Sequence, residues 1–421
     1  MNIYINARFL TQPITGVQRY AVELVKRWDR MLADGQAAGR REEKPAGRQA
    51  EKAGSGSQER ESSQERESSQ ERECSQERES FQERESSRES ESFRDSRNVR
   101  EHRYTLLAPP DILYEPELKH IRLEKVGKLR GHAWEQFALP YYARDGLLVN
   151  LCNTGPLAKR NQIATIHDTA VFEYPDSFTF SFRSAYKVIQ GGLGRRAKTI
   201  LTVSQFSKSQ IMRHCGANER KIKVVPLGKE HIGEVRSDPG VYAKHGLTPK
   251  NYILAVSSRN PYKNFAGLLS AMERLGDRNY EIAIAGASNS KVFGRAELSG
   301  SERVKWLGYV SDEELKALFE GAACFVFPSF YEGFGLPPLE AMACGTPILA
   351  SRAASIPEVC GEACLYFDPH DPDDIARQIG RVMDDPELRT TLRDKGYRRA
   401  DAFSWDACAR ETLQLIQEGV R

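Results

Sequence analysis

Residues 327–347 read FPSFYEGFGLPPLEAMACGTP. The apolar run Cys324–Phe327 leads into this stretch as a strand. A helix starts near Pro337, with Gly345 placed to close it. Between strand and helix, Glu332 and Glu340 stand eight positions apart, and Gly333, Phe334 and Gly335 form the turn. A strand, a glycine-bearing loop and a helix in that order present free N–H groups and the positive end of a helix dipole to one point. That point accepts a diphosphate. Gly333 and Gly335 would let the backbone approach such a ligand closely. Glu332 could then hydrogen-bond it from the loop, and Glu340 from the first turn of the helix. Either glutamate alone would be read as a solvated surface carboxylate, so the combination carries the signal.

The same alternation continues on both sides. Strand-like runs lie at Tyr252–Val256, Glu281–Ala285, Val304–Leu307, Pro347–Ala350 and Cys364–Phe367. Ser311 and Glu314 mark a capping box, and Asp371 and Asp373 mark a helix start after Pro369. Earlier in the chain, Ile3–Ile5, Tyr104–Ala108, Leu147–Leu151, Ile163–Ile166, Thr199–Val203 and Ile222–Val225 read as strands. Val17, Tyr20, Ala21, Leu24, Val25, Trp28 and Leu32 recur at helical spacing. A polar link near 233–240 separates the two sets. The expected architecture is α/β: two Rossmann-like domains facing a cleft, over 1–235 and 236–400, with 401–421 as a further helix.

From about Asp34 to Arg103 the pattern disappears. The hexapeptide S-Q-E-R-E-S recurs, with Gln58, Gln64, Gln70, Gln76 and Gln82 in register. Such a segment has little apolar surface to bury, so a disordered insertion or a transient salt-bridged helix is expected. It also explains the mean hydropathy of −0.56. The formal charge of +3 over 421 residues gives no support to nucleic-acid binding. Eight cysteines occur without a C-x-x-C pair, which fits buried free thiols in a reducing compartment. No apolar run is long enough to span a membrane, and Met1–Leu10 reads as a first strand rather than a signal peptide.

Three further pieces carry chemistry. Ser257-Ser-Arg-Asn-Pro-Tyr-Lys-Asn264 follows a strand and precedes a helix. Lys263 there could neutralise a leaving diphosphate without a metal, although a lysine at a helix start is not favoured by the dipole. Thr165-Ile-His-Asp-Thr169 follows a strand end, and His167 alone would as readily be structural. Thr15-Gly16 opens the first helix after a loop. The basic residues Lys119, His120, Arg122, Lys125, Lys128 and Arg130 form either a solvated loop or a contact for anionic lipid.

These residues together resemble the family 4 retaining glycosyltransferases, whose fold is GT-B. The stretch from Glu332 to Glu340 is similar to the family's E-x7-E motif. The resemblance implies that Glu332 lies near the donor sugar and that Glu340 binds the nucleotide ribose. It implies that the backbone of Phe334, Gly335 and Leu336 meets sugar and phosphate, and that Lys263 faces the diphosphate; many members have an arginine where this chain has Ser258, and Arg259, one position later, is the expected substitute. It likewise implies that His167 approaches the donor sugar and Gly16 the donor phosphate, with Tyr309 and Val310 giving backbone contacts to the base. Trp134-Glu135-Gln136 and Val203–Ser207 match the family as fold and acceptor-side features. Pro226-Leu-Gly-Lys-Glu230 departs from the family's asparagine-glycine-valine-aspartate form.

The opening NARFL…GVQRY resembles bacterial mannosyl- and rhamnosyltransferases of surface polysaccharide synthesis. Expected substrates are therefore a nucleotide sugar, GDP-mannose first, and a glycan or polyprenyl-linked acceptor, with no metal and no cofactor. The expected location is the cytoplasm, with possible peripheral contact at the inner face of the plasma membrane. The alternatives are a non-catalytic scaffold acting through its charged repeat, and another GT-B sugar-nucleotide enzyme such as an epimerase or phosphorylase.

Overall fold

The structure is a computed structural model that describes residues 1–42, 102–256, 260–276, 280–286 and 303–420. The repeats between 43 and 101 lie outside the described residues, as do Arg259 and its two neighbours.

Seven parallel strands form the first sheet, in the order β3-β2-β1-β4-β5-β6-β7. They are β1 (Asn2–Asn6), β2 (Arg103–Ala108), β3 (Arg122–Lys125), β4 (Leu147–Asn150), β5 (Gln162–Thr165), β6 (Thr199–Thr202) and β7 (Ile222–Val224). Six parallel strands form the second sheet, in the order β10-β9-β8-β11-β12-β13. They are β8 (Tyr252–Val256), β9 (Glu281–Ala285), β10 (Val304–Gly308), β11 (Cys324–Phe327), β12 (Ile348–Ser351) and β13 (Cys364–Phe367). In each sheet the strand order reverses beside the first strand, at β1/β4 and at β8/β11. The crevice beyond the carboxyl ends at such a switch point is where open α/β sheets take ligands.

Strands β4 and β11 are buried throughout and almost wholly apolar, as parallel strands covered on both faces must be. Strand β3 was missed in the sequence. It is an edge strand of mostly exposed, charged residues within the basic run, and charge on an edge deters pairing with another chain. The first helix, Gly16–Glu42, continues nine residues past Ala33, into the segment where the apolar pattern ends. Its Ala, Gln, Arg and Glu residues have enough intrinsic helix propensity to extend it. The capping box at Ser311 and the Asp371 cap are both formed.

The two sheets share one buried apolar cluster, running from Ile5 and Trp28 through Trp405 to Phe334 and Phe325. Helix Trp405–Val420 returns to the first helix, where the Trp28 indole donates to the Ala409 carbonyl at 2.9 Å. Among the described residues the cysteines are free thiols, buried or half-buried. No helix there is long and apolar enough to cross a membrane.

Candidate active site

The loop after β11 and the helix Leu336–Ala343 deliver the two glutamates to one end of the second sheet. Gly335 enters the helix with φ of +108°, a conformation that favours glycine. Pro337 and Pro338 have no N–H, so the donors this end can offer a ligand are those of Phe334, Gly335 and Leu336. Ser355 Oγ lies 2.9 Å from both the Glu332 and the Phe334 carbonyl oxygens and ties the loop down.

Glu332 meets Lys263. The ammonium donates to Glu332 Oε1 at 2.6 Å, and both side chains are largely buried. Lys263 ends a 3-10 turn, and Asn264, at φ of +56°, caps the following helix Phe265–Arg274 through the Gly267 N–H. The lysine is therefore held in the turn before the helix. Its ammonium lies 5.3 Å from the centre of the Tyr262 ring. The turn is tied to the loop after β11, since the Tyr262 carbonyl accepts from the Phe330 N–H at 2.8 Å.

Glu340 lies in the second turn of its helix rather than the first, and it is buried. Its partner is His231, whose Nε2 is 2.7 Å from Glu340 Oε1. The Trp405 indole N–H donates to His231 Nδ1 at 2.9 Å. An indole nitrogen only donates, so Nδ1 accepts and the ring proton sits on Nε2, facing the carboxylate. His231 thus orients Glu340 and is itself oriented by Trp405. No local sequence signal marks it: it is a lone histidine just after the stretch Pro226–Glu230 that departs from the family pattern.

Gly333 has a different reason from the expected one. A Cβ there would lie 2.3 Å from the His167 carbonyl oxygen, so the glycine admits the first domain's backbone rather than a ligand. Ser204 Oγ donates to the Gly333 carbonyl at 2.6 Å, and Ser207 Oγ lies 2.8 Å from the His167 carbonyl. The Val203–Ser207 segment therefore helps join the two halves at this point. Asp168, next to His167, belongs to the same cluster. Burial pushes its carboxyl up, while the Ala170 N–H and the Lys263 charge pull it down.

His167 is buried, with Nε2 2.9 Å from the Leu151 carbonyl and its ring edge-on to Tyr20. Burial pushes its pKa down to about 4. The imidazole is therefore neutral near pH 7 and does not act as a charged acid. The unfolded imidazole titrates near 6.5, so between these values the unfolded chain binds the extra proton. Stability is then lost as pH falls from about 6.5 to about 4, by about 3 kcal/mol. Urea titrations of wild type and His167→Gln should show this part of the pH dependence missing from the variant. A difference between the two proteins that stays constant from pH 7 to pH 4 would count against it.

Gly16 starts the first helix in open space, and a Cβ there would meet nothing within 4 Å. One turn later Arg19 pairs with Asp312, at the start of helix Asp312–Gly321. This pair links the Gly16 end to the second domain. Tyr309 is 81% exposed and Val310 half-buried beyond the end of β10. Among the described residues no cluster of His, Cys, Asp and Glu is arranged to hold a metal.

Residues 242–399 match the family described as "Glycosyl transferases group 1". The O-antigen chain mannosyltransferase B of Escherichia coli is 34% identical over 270 residues, 61% of this chain and 70% of that protein. The chain belongs to the group 1 glycosyltransferases. Another relative is the MMP alpha-(1->4)-mannosyltransferase of Mycolicibacterium hassiacum, 35% identical over 55% of this chain and 57% of its own length. Among solved structures, the sucrose-phosphate synthase of Thermosynechococcus elongatus superposes with a TM-score of 0.59 at 21% identity. It covers 75% of this chain and 89% of that one, and shares its GT-B fold. The pairs Lys263–Glu332 and His231–Glu340 both meet the segment formed by the loop after β11 and the helix Leu336–Ala343.

Proposed function

We propose that this glycosyltransferase moves a hexose, mannose first, from a nucleotide sugar to a glycan acceptor in the synthesis of a cell-surface polysaccharide. The observation that carries the reading is the Lys263–Glu332 pair, 2.6 Å apart beside the N-terminus of helix Leu336–Ala343. Without ligand, the two charges satisfy each other. A diphosphate entering at the N–H groups of Gly335 and Leu336 competes for the ammonium, which then stabilises charge on the departing phosphate. Glu332, released from the lysine, is left to orient the sugar and steady positive charge on it. Glu340, held by His231, takes the ribose hydroxyls, and the backbone near Tyr309 and Val310 takes the base. His167, neutral and fixed to Leu151, supplies shape and a hydrogen-bonding edge on the first-domain side. The mannose assignment draws on the names of the relatives, both mannosyltransferases.

On this reading the leaving phosphate and the attacking hydroxyl share one face of the sugar, and the anomeric configuration is retained. Lysine and helix N–H groups do the work that a metal does elsewhere. The test is a panel of nucleotide sugars offered with mannose-containing acceptors, with products read by mass spectrometry and anomeric configuration by NMR. Excess EDTA should leave the rate within about twofold of its starting value. A strong loss restored by magnesium or manganese would remove the lysine's assigned role, and an inverted product would remove the same-face mechanism.

A further inference from the structure

The loop after β5 and the loop after β11 run side by side where the two domains meet. The His167 carbonyl stands against Gly333, and the Tyr331 hydroxyl lies 3.1 Å from Thr169 Oγ1 and 3.4 Å from the Thr169 nitrogen. With 167 at 333 and 169 at 331, the residues between them face each other: Asp168 from the first domain and Glu332 from the second. A Cβ on Gly333 would lie 3.0 Å from that of Asp168.

Asp168 is half-buried and firmly held. Gln190, on helix Phe180–Arg196, donates to its carbonyl at 3.1 Å, and Ser207, on helix Gln205–Cys215, donates to the carbonyl before it. Its Oδ1 accepts from the Ala170 N–H at 3.0 Å, while Oδ2 has no hydrogen-bond partner among the described residues. The charge that faces both acids is the Lys263 ammonium, bonded directly to Glu332 and acting on Asp168 from across the domain boundary. The other titratable groups here carry none. His167 is neutral near pH 7. Burial, and then the charge of Asp168, push the Tyr262 and Tyr331 hydroxyls far above their ordinary range.

We propose that Asp168 is a positioning residue for the transfer: it shares the Lys263 ammonium with Glu332, and it takes a proton from solvent when a diphosphate draws that ammonium away. The proposal rests on the reading of Lys263 and Glu332 as the donor end. Two carboxylates and one ammonium already leave an excess of negative charge, and the diphosphate adds more. Once the ammonium turns to phosphate, two like charges face each other without their cation, and one of them is neutralised. Asp168 is the one that burial already disfavours as an anion. Its free Oδ2 then carries a hydrogen to donate toward Glu332. That bond keeps Glu332 in place after the lysine has left it, and leaves Glu332 as the charge beside the sugar.

The experiment is calorimetry of GDP-mannose and UDP-glucose, without acceptor, on the full chain as wild type, Asp168→Asn, Asp168→Ser and Lys263→Ala. Neither probe titrates between about pH 5 and 8. Repeating each titration across that range, in buffers of different ionisation enthalpy, counts the protons bound. For the nucleotide sugar that binds, wild type is expected to take up about half a proton to one proton. Its affinity then falls by about threefold to tenfold per pH unit as pH rises. Both effects are absent from Asp168→Asn and Asp168→Ser, which keep an acceptor for the Ala170 N–H but no ionisable group. Having two such variants guards against one that does not fold, and melting temperatures check both. Wild-type binding without proton uptake, or the same uptake in an Asp168 variant, overturns the proposal, and a purely structural Asp168 would give one of these results. Where that binding still needs Lys263, the donor reading survives. No binding of either nucleotide sugar by wild type, or equal affinity in Lys263→Ala, retires the donor reading and the proposal with it.

Discussion

Lys263→Ala should lower kcat/KM for the nucleotide sugar by about a hundred- to a thousandfold while the melting temperature stays close to wild type. The lysine lies in a short turn at the edge of the second domain, and no apolar core rests on it. On the function proposed above, its loss removes the charge that would face the departing diphosphate. It also leaves Glu332 unpaired and Asp168 without the cation that opposes the effect of burial. Affinity for a nucleoside lacking phosphates should be unchanged, because the Glu340 side does not involve the lysine. Glu332→Ala should show a comparable fall in turnover with the fold intact. Near-wild-type turnover in both purified variants would sink the assignment.

Gly228→Ala should cost at least about 3 kcal/mol of stability, through a different mechanism. A Cβ on Gly228 would lie 1.8 Å from the Trp405 nitrogen and 2.4 Å from the Ser404 carbonyl carbon. These are backbone atoms, so no side-chain rotation can relieve the clash. The junction is also tied by Glu230, whose carboxylate accepts from the Trp405 N–H at 2.8 Å. Displacing Trp405 would break that bond and the one to His231. Gly233→Ala, only a few residues away, is the control. A Cβ there meets nothing within 4 Å, and the position lies in the helix Glu230–Glu234, where alanine is the better residue. Urea midpoints for the two variants decide the matter. A Gly228→Ala midpoint indistinguishable from wild type would mean that the junction shifts freely.

The sequence made the local features legible and left the long-range ones hidden. The strand, loop and helix around Glu332 and Glu340 lie within some twenty residues, so their order and spacing expose the geometry directly. The capping box at Ser311 was legible for the same reason. Gly333 shows the limit: a glycine announces that something comes close, but not what. Here it is the His167 backbone, from a segment far away in sequence. His231 was invisible because its meaning depends on Glu340 and Trp405, and neither lies within a hundred residues of it. Strand β3 was missed because an exposed edge with four charged or half-buried positions shows no alternation. Arg259 lies outside the described residues, so its expected place facing the diphosphate stands as a proposal.

The chain of contacts from Trp405 through His231 to Glu340 has a consequence for order in time. Ribosomal synthesis makes Glu340 well before Trp405, and His231 earlier still. While the chain is being made, the second sheet can close and present both glutamates, yet His231 has no indole to fix its proton on the side of Glu340. The series of hydrogen bonds from Trp405 through His231 to Glu340 can be complete only once the segment from Phe403 onward has been made and lies on the first helix. Folding of the second sheet and fixing of Glu340 are thus separable events, and the second waits on Trp405, a residue outside that sheet.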